Sequence, residues 1–587
     1  MHSKFYIKLF ILTIFVYCST HVLASDKSSK MTNNSIGQVP TFSKVEDPAQ
    51  YYTDRQKALD LVRQENWLAA KPVIESLISQ YPDDGDTWYI LGLTYFQLKE
   101  WEKAIAALKK TIELGTILSN VPTGSAPSND IMINIAEAYA ELGQAENTIA
   151  WINKSLAYRY DDRKNLIGNF HFKEIAASKE FQKVSGVFLP KDISRVELWQ
   201  YDLKFLVSEI KRLHVNMYHS ISEDNFERMV ATINKKIPTL SDQQIVFEFM
   251  KLVASTGNGH NFIVPAYAKI GAFNQLPLQF YLFSDGLFIV SAEEEYQHLV
   301  GSKVVRIGST AVEEALDRAK KVNARDNEMQ HLWLAPHYLG LAEVLEGLNI
   351  VDDANVITIT IESTKGEQKT VTPKLKVMSF SGFPKLPALA NSDEIHNFQA
   401  KKTYWYQHIP EQSALYVQYN YVHNSSSQSF ESFNHELRDK ISLLKPENII
   451  LDIRHNAGGD GSTYPPLLKT LVQFESIRPN GKLFVVMGRN TFSAAHSLLL
   501  DINRLSNPIL VGEPSGSRPN ALSEAGWFKL PYSGTWGIIS SQFHQASKAE
   551  DHRIWVSPHV PVSLSSKQYF SGDDPAMQAI KKIINRK

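Results

Sequence analysis

Apolar residues follow two different spacings along the chain. In the N-terminal half they recur every three or four positions, as at Leu206, Ile210 and Leu213, which predicts amphipathic helices. Beyond about residue 255, apolar residues also form short continuous runs and alternating stretches, which are typical of strands. The pattern therefore predicts a helical N-terminal half, with its last helical part over 196–265, and a C-terminal half that contains both strands and helices.

Three short apolar runs near the C-terminal end predict buried strands over 448–453, 483–487 and 509–512. Helical patterns separate these runs, over 464–474 and 494–505. Strands that alternate with helices are typical of parallel crossover units, so an α/β domain is predicted over 376–587. A further alternation that turns back at Lys365-Gly366 predicts a hairpin within a β-rich segment, 266–375.

The first 24 residues have the pattern of a secretory signal peptide, with two lysines before an apolar run over 9–18 and a cleavable segment that ends at Ala24. One alternative is a membrane anchor, although the run is about half of the roughly 20 residues that a spanning helix needs. Another is a lipoprotein attached through Cys18, although the preceding tyrosine is bulky. The polar stretch 25–50 is predicted to be a linker. We therefore expect export to the periplasm or the exterior.

A repeated helical pattern follows over 51–165. Trp88-x-x-Leu91-Gly92-x-x-Tyr95 has the spacing of the first helix of a tetratricopeptide repeat, and a small residue, Ala58, lies 34 positions before Gly92. A third copy follows a turn-rich insert, and three helix pairs are about the minimum for such an array. The array either holds a peptide or protein partner in its groove or packs as an arm on the next domain. A second linker is predicted over 166–195.

The composition narrows the function classes. The 61 basic and 62 acidic side chains give a formal net charge of −1, which provides no general attraction to nucleic acid or to an anionic membrane. A single cysteine excludes an intrachain disulfide and a cysteine-based metal site. The chain also lacks the common metal-binding and phosphate-binding motifs, so no metal and no cofactor are expected.

Candidate chemistry lies in the turns after the three predicted strands, because open α/β sheets bind ligands beyond the carboxyl ends of their strands. The second turn contains Ser493 at a predicted helix start, where a hydroxyl can be exposed as a nucleophile. The N–H groups of Ala494 and of the Gly458-Gly459 turn could then bind an oxyanion. Taken alone, such a serine is also a common N-cap and such a glycine pair a common turn, so both interpretations stay open.

Together, the turns resemble those of the carboxyl-terminal-processing (tail-specific) peptidases and the related tricorn core peptidases. The resemblance covers roughly 196–587 and rests on Asp452-x-Arg454-x-Asn456-x-Gly458-Gly459, Ser493-Ala494-Ala495, Val511-Gly512-Glu513 and a closing segment from Asp551-x-Arg553 to Pro575. It implies a multidomain protein, in which the tetratricopeptide-like arm precedes an α/β peptidase core of the crotonase-like ββα type. It also implies a PDZ-like β insert over 266–375, although the usual carboxylate-binding loop is not evident there.

One position departs from the tail-specific pattern. Those peptidases pair the serine with a lysine about 25 residues later, where this chain has Arg518, and an arginine stays protonated and cannot act as a base. The tricorn-like branch uses an earlier histidine, and Thr256-Gly257-Asn258-Gly259-His260 resembles that segment. The resemblance therefore implies His260 as the general base. His496, one helical turn after the serine, is the competing candidate.

Two further roles follow from this assignment. An acid is needed to orient the imidazole, and the candidates are Glu524, Glu550 and Asp551, with Glu524 and Asp551 ranked equally. Arg518 either binds a substrate carboxylate as a bidentate fork, together with Asn520 in the substrate site, or forms a salt bridge with the nearby Glu513.

The predicted function is therefore that of an exported serine-type peptidase that acts on peptides or proteins. His260 would remove the proton of Ser493, the hydroxyl would attack a peptide carbonyl, and water would hydrolyse the acyl-enzyme. The alternatives are a catalytically inactive peptide-binding scaffold on the same fold and an esterase-like hydrolase.

Overall fold

The computed structural model of the chain describes residues 45–116, 128–363, 365–380, 382–388 and 402–586. The predicted signal peptide, 1–24, and most of the predicted linker, 25–50, lie outside these residues. Among the residues that are described, no helix combines the length and the apolar character needed to cross a bilayer.

The N-terminal region is an array of helices that pack in consecutive pairs. They are α1 (Pro48–Arg63), α2 (Trp67–Gln80), α3 (Gly85–Gln97), α4 (Trp101–Leu114), α5 (Ser128–Glu141) and α6 (Ala145–Ala157). Gly92 lies where α3 meets α4, and a Cβ added there would lie 2.7 Å from the Leu108 side chain. The small residue is therefore required by close helix packing, and the predicted helical repeat is confirmed.

The stretch 166–195, predicted to be a linker, is instead packed against this array. It contains the second half of α7 (Arg163–Gly168) and all of α8 (Lys179–Val184). Leu166, Phe172 and Phe181 are buried in one apolar cluster with residues of α5 and α6. These anchors are six and nine positions apart, so they form no helical period that a sequence pattern could reveal.

A buried ion cluster joins the array to α9 (Arg195–Leu213). The carboxylate of Glu209, which is 1% exposed, accepts hydrogen bonds from Arg163 at 2.7 Å and from Arg212 at 2.6 Å. Arg212 also donates to the carbonyls of Leu156 and Tyr160, at the end of the array. Burial opposes the ionisation of Glu209, but the two guanidinium groups outweigh it and hold the pKa of Glu209 below its ordinary value.

The predicted helical and β-rich regions follow α9. Two helices, α10 (Glu223–Lys236) and α11 (Asp242–Ala254), complete the helical part. The next strands are β1 (Phe262–Val264), β2 (Asn274–Gln275), β3 (Leu278–Phe283), β4 (Gly286–Ala292), β5 (Lys303–Ile307), β6 (Thr310–Ala311), β7 (Ile359–Glu362), β8 (Gln368–Val371) and β9 (Lys376–Val377). The helices α12 (Val312–Ala319), α13 (Glu328–Tyr338) and α14 (Ala342–Gly347) lie between β6 and β7.

Most of these strands form one antiparallel sheet in the order β3-β4-β5-β7-β8, with β6 paired to β5. The pair β7–β8, in which Ile359 faces Val371, is the predicted hairpin. A PDZ-like character for this region stays a prediction.

The C-terminal region is an α/β domain, as predicted. Its strands are β10 (Tyr404–Ile409), β11 (Ala414–Tyr419), β12 (Asn448–Asp452), β13 (Lys482–Met487), β14 (Ile509–Gly512), β15 (Asn520–Lys529), β16 (Trp536–Gln545) and β17 (Val560–Pro561). Its helices are α15 (Phe430–Leu444), α16 (Pro465–Ile477), α17 (Ser493–Leu505), α18 (Ser566–Ser571) and α19 (Pro575–Asn585).

The central sheet of this domain has the order β10-β11-β12-β13-β14-β17 and is parallel from β11 onward. Helices α15, α16 and α17 cover one face, and α19 covers the other. A separate antiparallel sheet, β1-β16-β15, connects the two halves of the molecule. Because β1 begins two residues after His260, this sheet carries the histidine loop to the C-terminal domain. The crotonase-like detail of the core stays a prediction.

Candidate active site

Ser493 lies where the chain passes from β13 into α17. Its φ is 51°, in the left-handed region that residues other than glycine rarely adopt. The N-cap of α17 is Phe492, which makes no side-chain capping bond, so Ser493 does not serve as an N-cap. Its side chain is partly exposed. A strained turn that presents a hydroxyl at a helix start is the arrangement a nucleophilic serine requires.

The Gly458-Gly459 turn packs directly against Ser493. A Cβ at Gly458, whose φ is 101°, would lie 2.6 Å from the Cβ of Ser493 and 2.9 Å from the nitrogen of Ala494. No other residue fits this approach, so glycine is required here. The turn is fixed by Asn456, which donates to the carbonyl of Tyr419 at 2.9 Å and accepts from the N–H of Gly458 at 2.9 Å.

This last bond corrects the predicted oxyanion set. The N–H of Gly458 is committed to Asn456 and shapes the turn, so it is not available to a ligand. Within the described ranges, the N–H groups of Gly459 and Ala494 donate to no protein acceptor. Ala494 also lies at the positive end of the α17 dipole. These two N–H groups remain the candidates for oxyanion binding.

His260 lies beside the serine but makes no hydrogen bond to it. Its ring stacks on Phe492, the residue before Ser493, with 4.3 Å between ring centroids and 24° between planes. The ring is buried, and neither nitrogen has a hydrogen-bond partner in the part of the chain that the structure describes. Burial lowers the pKa of His260 to about 4, against the opposing effect of Glu524, so the imidazole is neutral at pH 7.

Glu524 is the candidate acid that acts on His260. It lies in β15 between Ser523, which faces Gln542, and Ala525, which faces Ser540, and its φ is 69°. This left-handed φ interrupts the regular pairing at one position without shifting the register of the two strands. His544 forms a hydrogen bond with its carboxylate at 3.1 Å. That bond is the main reason why the pKa of Glu524 lies below its ordinary value, so the carboxylate is ionised at neutral pH.

The other predicted acids and the competing base have different surroundings. Asp551 accepts hydrogen bonds from Arg553 at 2.7 Å and from Ser547 at 2.6 Å, and Arg553 is the main cause of its lowered pKa. Glu550 is exposed. His496 is buried in α17, and burial lowers its pKa to about 3. The charges that act on His260 come from Glu524 and His544 instead, which favours Glu524 over Asp551.

The predicted substrate-binding pair has structural contacts in this protein. Arg518 does not pair with Glu513, which forms a 2.5 Å ion pair with Arg489, but donates to the carbonyl of Asp326 at 2.7 Å. The side chain of Asn520 donates to the carbonyl of Lys548 at 2.7 Å and accepts from the N–H of Ser547 at 3.0 Å. Asn520 therefore holds the turn after β16 and is not directed to a ligand, which corrects its predicted role.

The Asp-x-Arg part of the first motif is also structural. Arg454 donates to the buried Asp452 at 2.6 Å and to Asp574, in the closing segment, at 2.7 Å. The motif thus ties the C-terminal segment to the end of β12. Within the described residues, no three metal-ligating side chains lie close enough together to hold a metal ion.

Two residues of the site were missed from sequence. Phe492 belongs to the serine turn, but an aromatic residue before a helix start carries no catalytic signal. His544 lies in β16, and its hydrogen bond with Glu524 depends on the pairing of β15 with β16. A prediction of the β15–β16 pairing could have found it.

Comparison with known proteins gives one match to a family and several to solved structures. The tetratricopeptide repeat family matches residues 55–116, which confirms the predicted repeat over that stretch. No curated protein matches the chain by sequence.

Several solved structures are similar to this chain over about two thirds of its length. Mature CPAF complexed with lactacystin is 12% identical, with a TM-score of 0.49 over 67% of this chain and 99% of that chain. The photosystem II D1 C-terminal processing protease is 11% identical, with a TM-score of 0.34 over 67% and 98%. An S41 protease of Bacteroides fragilis is 12% identical, with a TM-score of 0.30 over 68% and 99%. The chemistry of this chain is argued below from its own residues.

Proposed function

We propose that the protein is an exported serine-type peptidase that forms an acyl-enzyme at Ser493. The observation that supports this most strongly is the position of the neutral His260 ring against Phe492, next to a serine on a strained helix start. A hydroxyl nucleophile, a nearby base and two N–H groups without acceptors form the minimal set for acyl transfer. Export is inferred from the signal-like pattern of residues 1–24.

The proposed reaction begins with a small rotation of the His260 ring toward Ser493, since the two make no hydrogen bond in the free protein. Catalytic hydrogen bonds are often long without substrate and tighten in the complex. A ring nitrogen of His260 then accepts the hydroxyl proton while the oxygen attacks the substrate carbonyl. The oxyanion is stabilised by the N–H groups of Gly459 and Ala494.

The second half of the reaction returns the proton. The imidazolium of His260 protonates the leaving amine, and the acyl group stays on Ser493 until a water molecule, deprotonated by the same imidazole, hydrolyses it. Glu524 stabilises the imidazolium through its charge, which is the role that an acid has in such a set. Peptides or proteins are the proposed substrates, and the tetratricopeptide array is the proposed site for a protein partner.

A fluorophosphonate probe, which reacts only with activated serines, tests this proposal on the full chain. We expect the wild type to be labelled and Ser493→Ala to lose labelling by at least about 10⁴-fold, because the nucleophile is absent. Ser497→Ala is the matched control, since Ser497 lies one helical turn later in α17 and its loss should leave labelling unchanged.

The other outcomes separate the alternatives. A wild-type protein that is not labelled would contradict the proposal and favour a peptide-binding scaffold. Labelling combined with hydrolysis of ester panels, but not of peptide panels, would favour an esterase-like hydrolase. Measured at equal concentrations, these panels distinguish the two enzymes that the same site could support.

A further inference from the structure

The position of His260 depends on its backbone, because no hydrogen bond holds its ring. Both ring nitrogens are buried without partners in the described part of the chain, and the stacking on Phe492 fixes only one side of the ring. The loop before β1 must therefore hold the ring in place. What holds that loop determines whether the imidazole can reach Ser493.

Two buried side chains grip the residue before His260. The carboxylate of Asp326 accepts the N–H of Gly259 at 2.9 Å, and the side-chain amide of Gln330 donates to the carbonyl of Gly259 at 2.9 Å. Gln330 also accepts the N–H of Asp326 at 2.9 Å, so the three residues form one closed set. A Cβ at Gly259 would lie 2.1 Å from Gln330, which shows how closely the loop is held.

This clamp is connected to the segment that follows β14. Arg518 donates to the carbonyl of Asp326 at 2.7 Å, and the neighbouring Asn327 donates to the carbonyl of Ser515 at 3.1 Å. Asp326 is 4% exposed, and burial raises its pKa to about 6, against the opposing effects of the Gly259 N–H and Arg518. The residue at the position of the absent lysine thus supports the start of α13.

The opposite side of the loop is held by a second polar group. Asn258 accepts the N–H of His260 at 3.3 Å and the hydroxyl of Ser540, from β16. Its amide also contacts the ring of the buried His214 at 3.1 Å. The loop is therefore fixed on both sides. On one side the exposed side chain of Arg518 can be changed without creating a cavity.

We propose that Arg518, Asp326 and Gln330 are positioning residues that hold the His260 loop so that the imidazole stays buried against Phe492 and within reach of Ser493. The inference rests on the proposed function for its catalytic consequence, but its structural part concerns the environment of His260 alone. Under this inference Arg518 supports the proposed base, instead of binding the substrate as the sequence predicted.

Two measurements on the full chain test this positioning role. Both are made on Arg518→Ala, Arg518→Lys and Asp326→Asn. The first is the pKa of His260, followed by NMR of ¹³C-labelled histidine rings and assigned with His260→Gln. We expect Arg518→Ala to raise this pKa from about 4 toward 6.5, because a loosened ring gains access to water. The titratable groups that act on the ring, Glu524 and His544, are unchanged in these variants. Arg518→Lys, which keeps a donor for the Asp326 carbonyl, should restore most of the wild-type value.

The second readout is the reaction of Ser493 with the fluorophosphonate probe. We expect the maximal labelling rate to fall about 10-fold or more in Arg518→Ala and less in Asp326→Asn, while the half-saturating probe concentration stays the same, because misplacing a catalytic group by about 1 Å can cost about 10²-fold. Arg504→Ala, in which an exposed arginine of α17 is removed, is the matched control and should change neither readout.

The results distinguish this inference from the proposed function. An unchanged His260 pKa in both Arg518→Ala and Asp326→Asn would overturn the inference, whether or not the protein is labelled. A raised pKa in a protein whose wild type is never labelled would support the positioning role and contradict the peptidase. A raised pKa together with slower labelling supports both.

Discussion

The Ser493 turn and the His260 loop are held by different kinds of interaction. Ser493 is fixed by backbone that lies close in sequence or in the same sheet: the end of β13, a left-handed φ and the glycine turn after β12. His260 is fixed by side chains from distant segments, as far as the 282 positions that separate Asn258 from Ser540. The proposed nucleophile therefore depends on the geometry of neighbouring turns, whereas the proposed base depends on how the domains come together.

The largest expected effect comes from the base itself. We expect His260→Ala to lower the peptidase turnover by about 10⁴-fold, because its ring stacks on Phe492, the residue before Ser493, and is the proposed base. His496→Ala removes a buried ring and should reduce the free energy of unfolding by about 1–3 kcal/mol, with turnover close to the wild type. Steady-state kinetics and thermal unfolding of the two variants measure these effects. Near-normal turnover in His260→Ala, with loss in His496→Ala, would show that the base was assigned to the wrong histidine.

The next effect tests the serine side of the comparison. Gly458→Ala should lower turnover by about 10²-fold or more, because a Cβ there would lie 2.6 Å from Ser493 and displace the turn. Gly301→Ala is the matched control: its φ is 90°, but no atom lies within 4 Å of the added Cβ. It should lower the free energy of unfolding by about 1 kcal/mol through backbone strain alone and leave turnover unchanged. Equal losses of turnover in the two variants would contradict the close-packing argument.

The smallest effect concerns the charge beside the base. In the wild type we expect kcat/KM to rise with pH through about 4, because the reaction needs the neutral form of His260 and burial lowers its pKa to about 4. The negative charge of Glu524 favours the imidazolium form of His260. Glu524→Gln should therefore move the rise of kcat/KM to lower pH and reduce its maximal value by about 10-fold. Asp551→Asn is the control, and in this variant kcat/KM should rise at the same pH as in the wild type. A shift in Asp551→Asn and none in Glu524→Gln would assign the orienting acid to Asp551.

The same contrast explains how much of the fold could be predicted. The strands β12, β13 and β14 and the helices between them are continuous apolar or periodic segments, so their existence and order follow from the sequence. The packed segment around α7 and α8 could not be predicted in this way, because its buried residues have no period and are held by the preceding helices. Tertiary contacts, and not local preference, decide such regions.

The candidate site shows the same division. The motifs single out Ser493, Gly459 and Ala494 as candidates, since a short turn needs particular residues at fixed positions. The role of Gly458 was corrected because the choice of Asn456 Oδ1 as its acceptor depends on the folded turn. Arg518 and Asn520 were assigned to substrate, yet both bind backbone carbonyls of segments distant from them in sequence, which no local pattern reveals.

The ion cluster of Glu209, Arg163 and Arg212 bears on whether the repeat array can be detached. A shortened chain that began at α9 would leave Glu209 without Arg163, and Arg212 without the carbonyls of Leu156 and Tyr160. Removing one partner of a buried ion pair costs about 3–5 kcal/mol, because the remaining charge loses both water and its counterpart. The array is therefore an integral part of the folded protein and not an independent appendage, and autonomy of the C-terminal portion would require replacing both charges together.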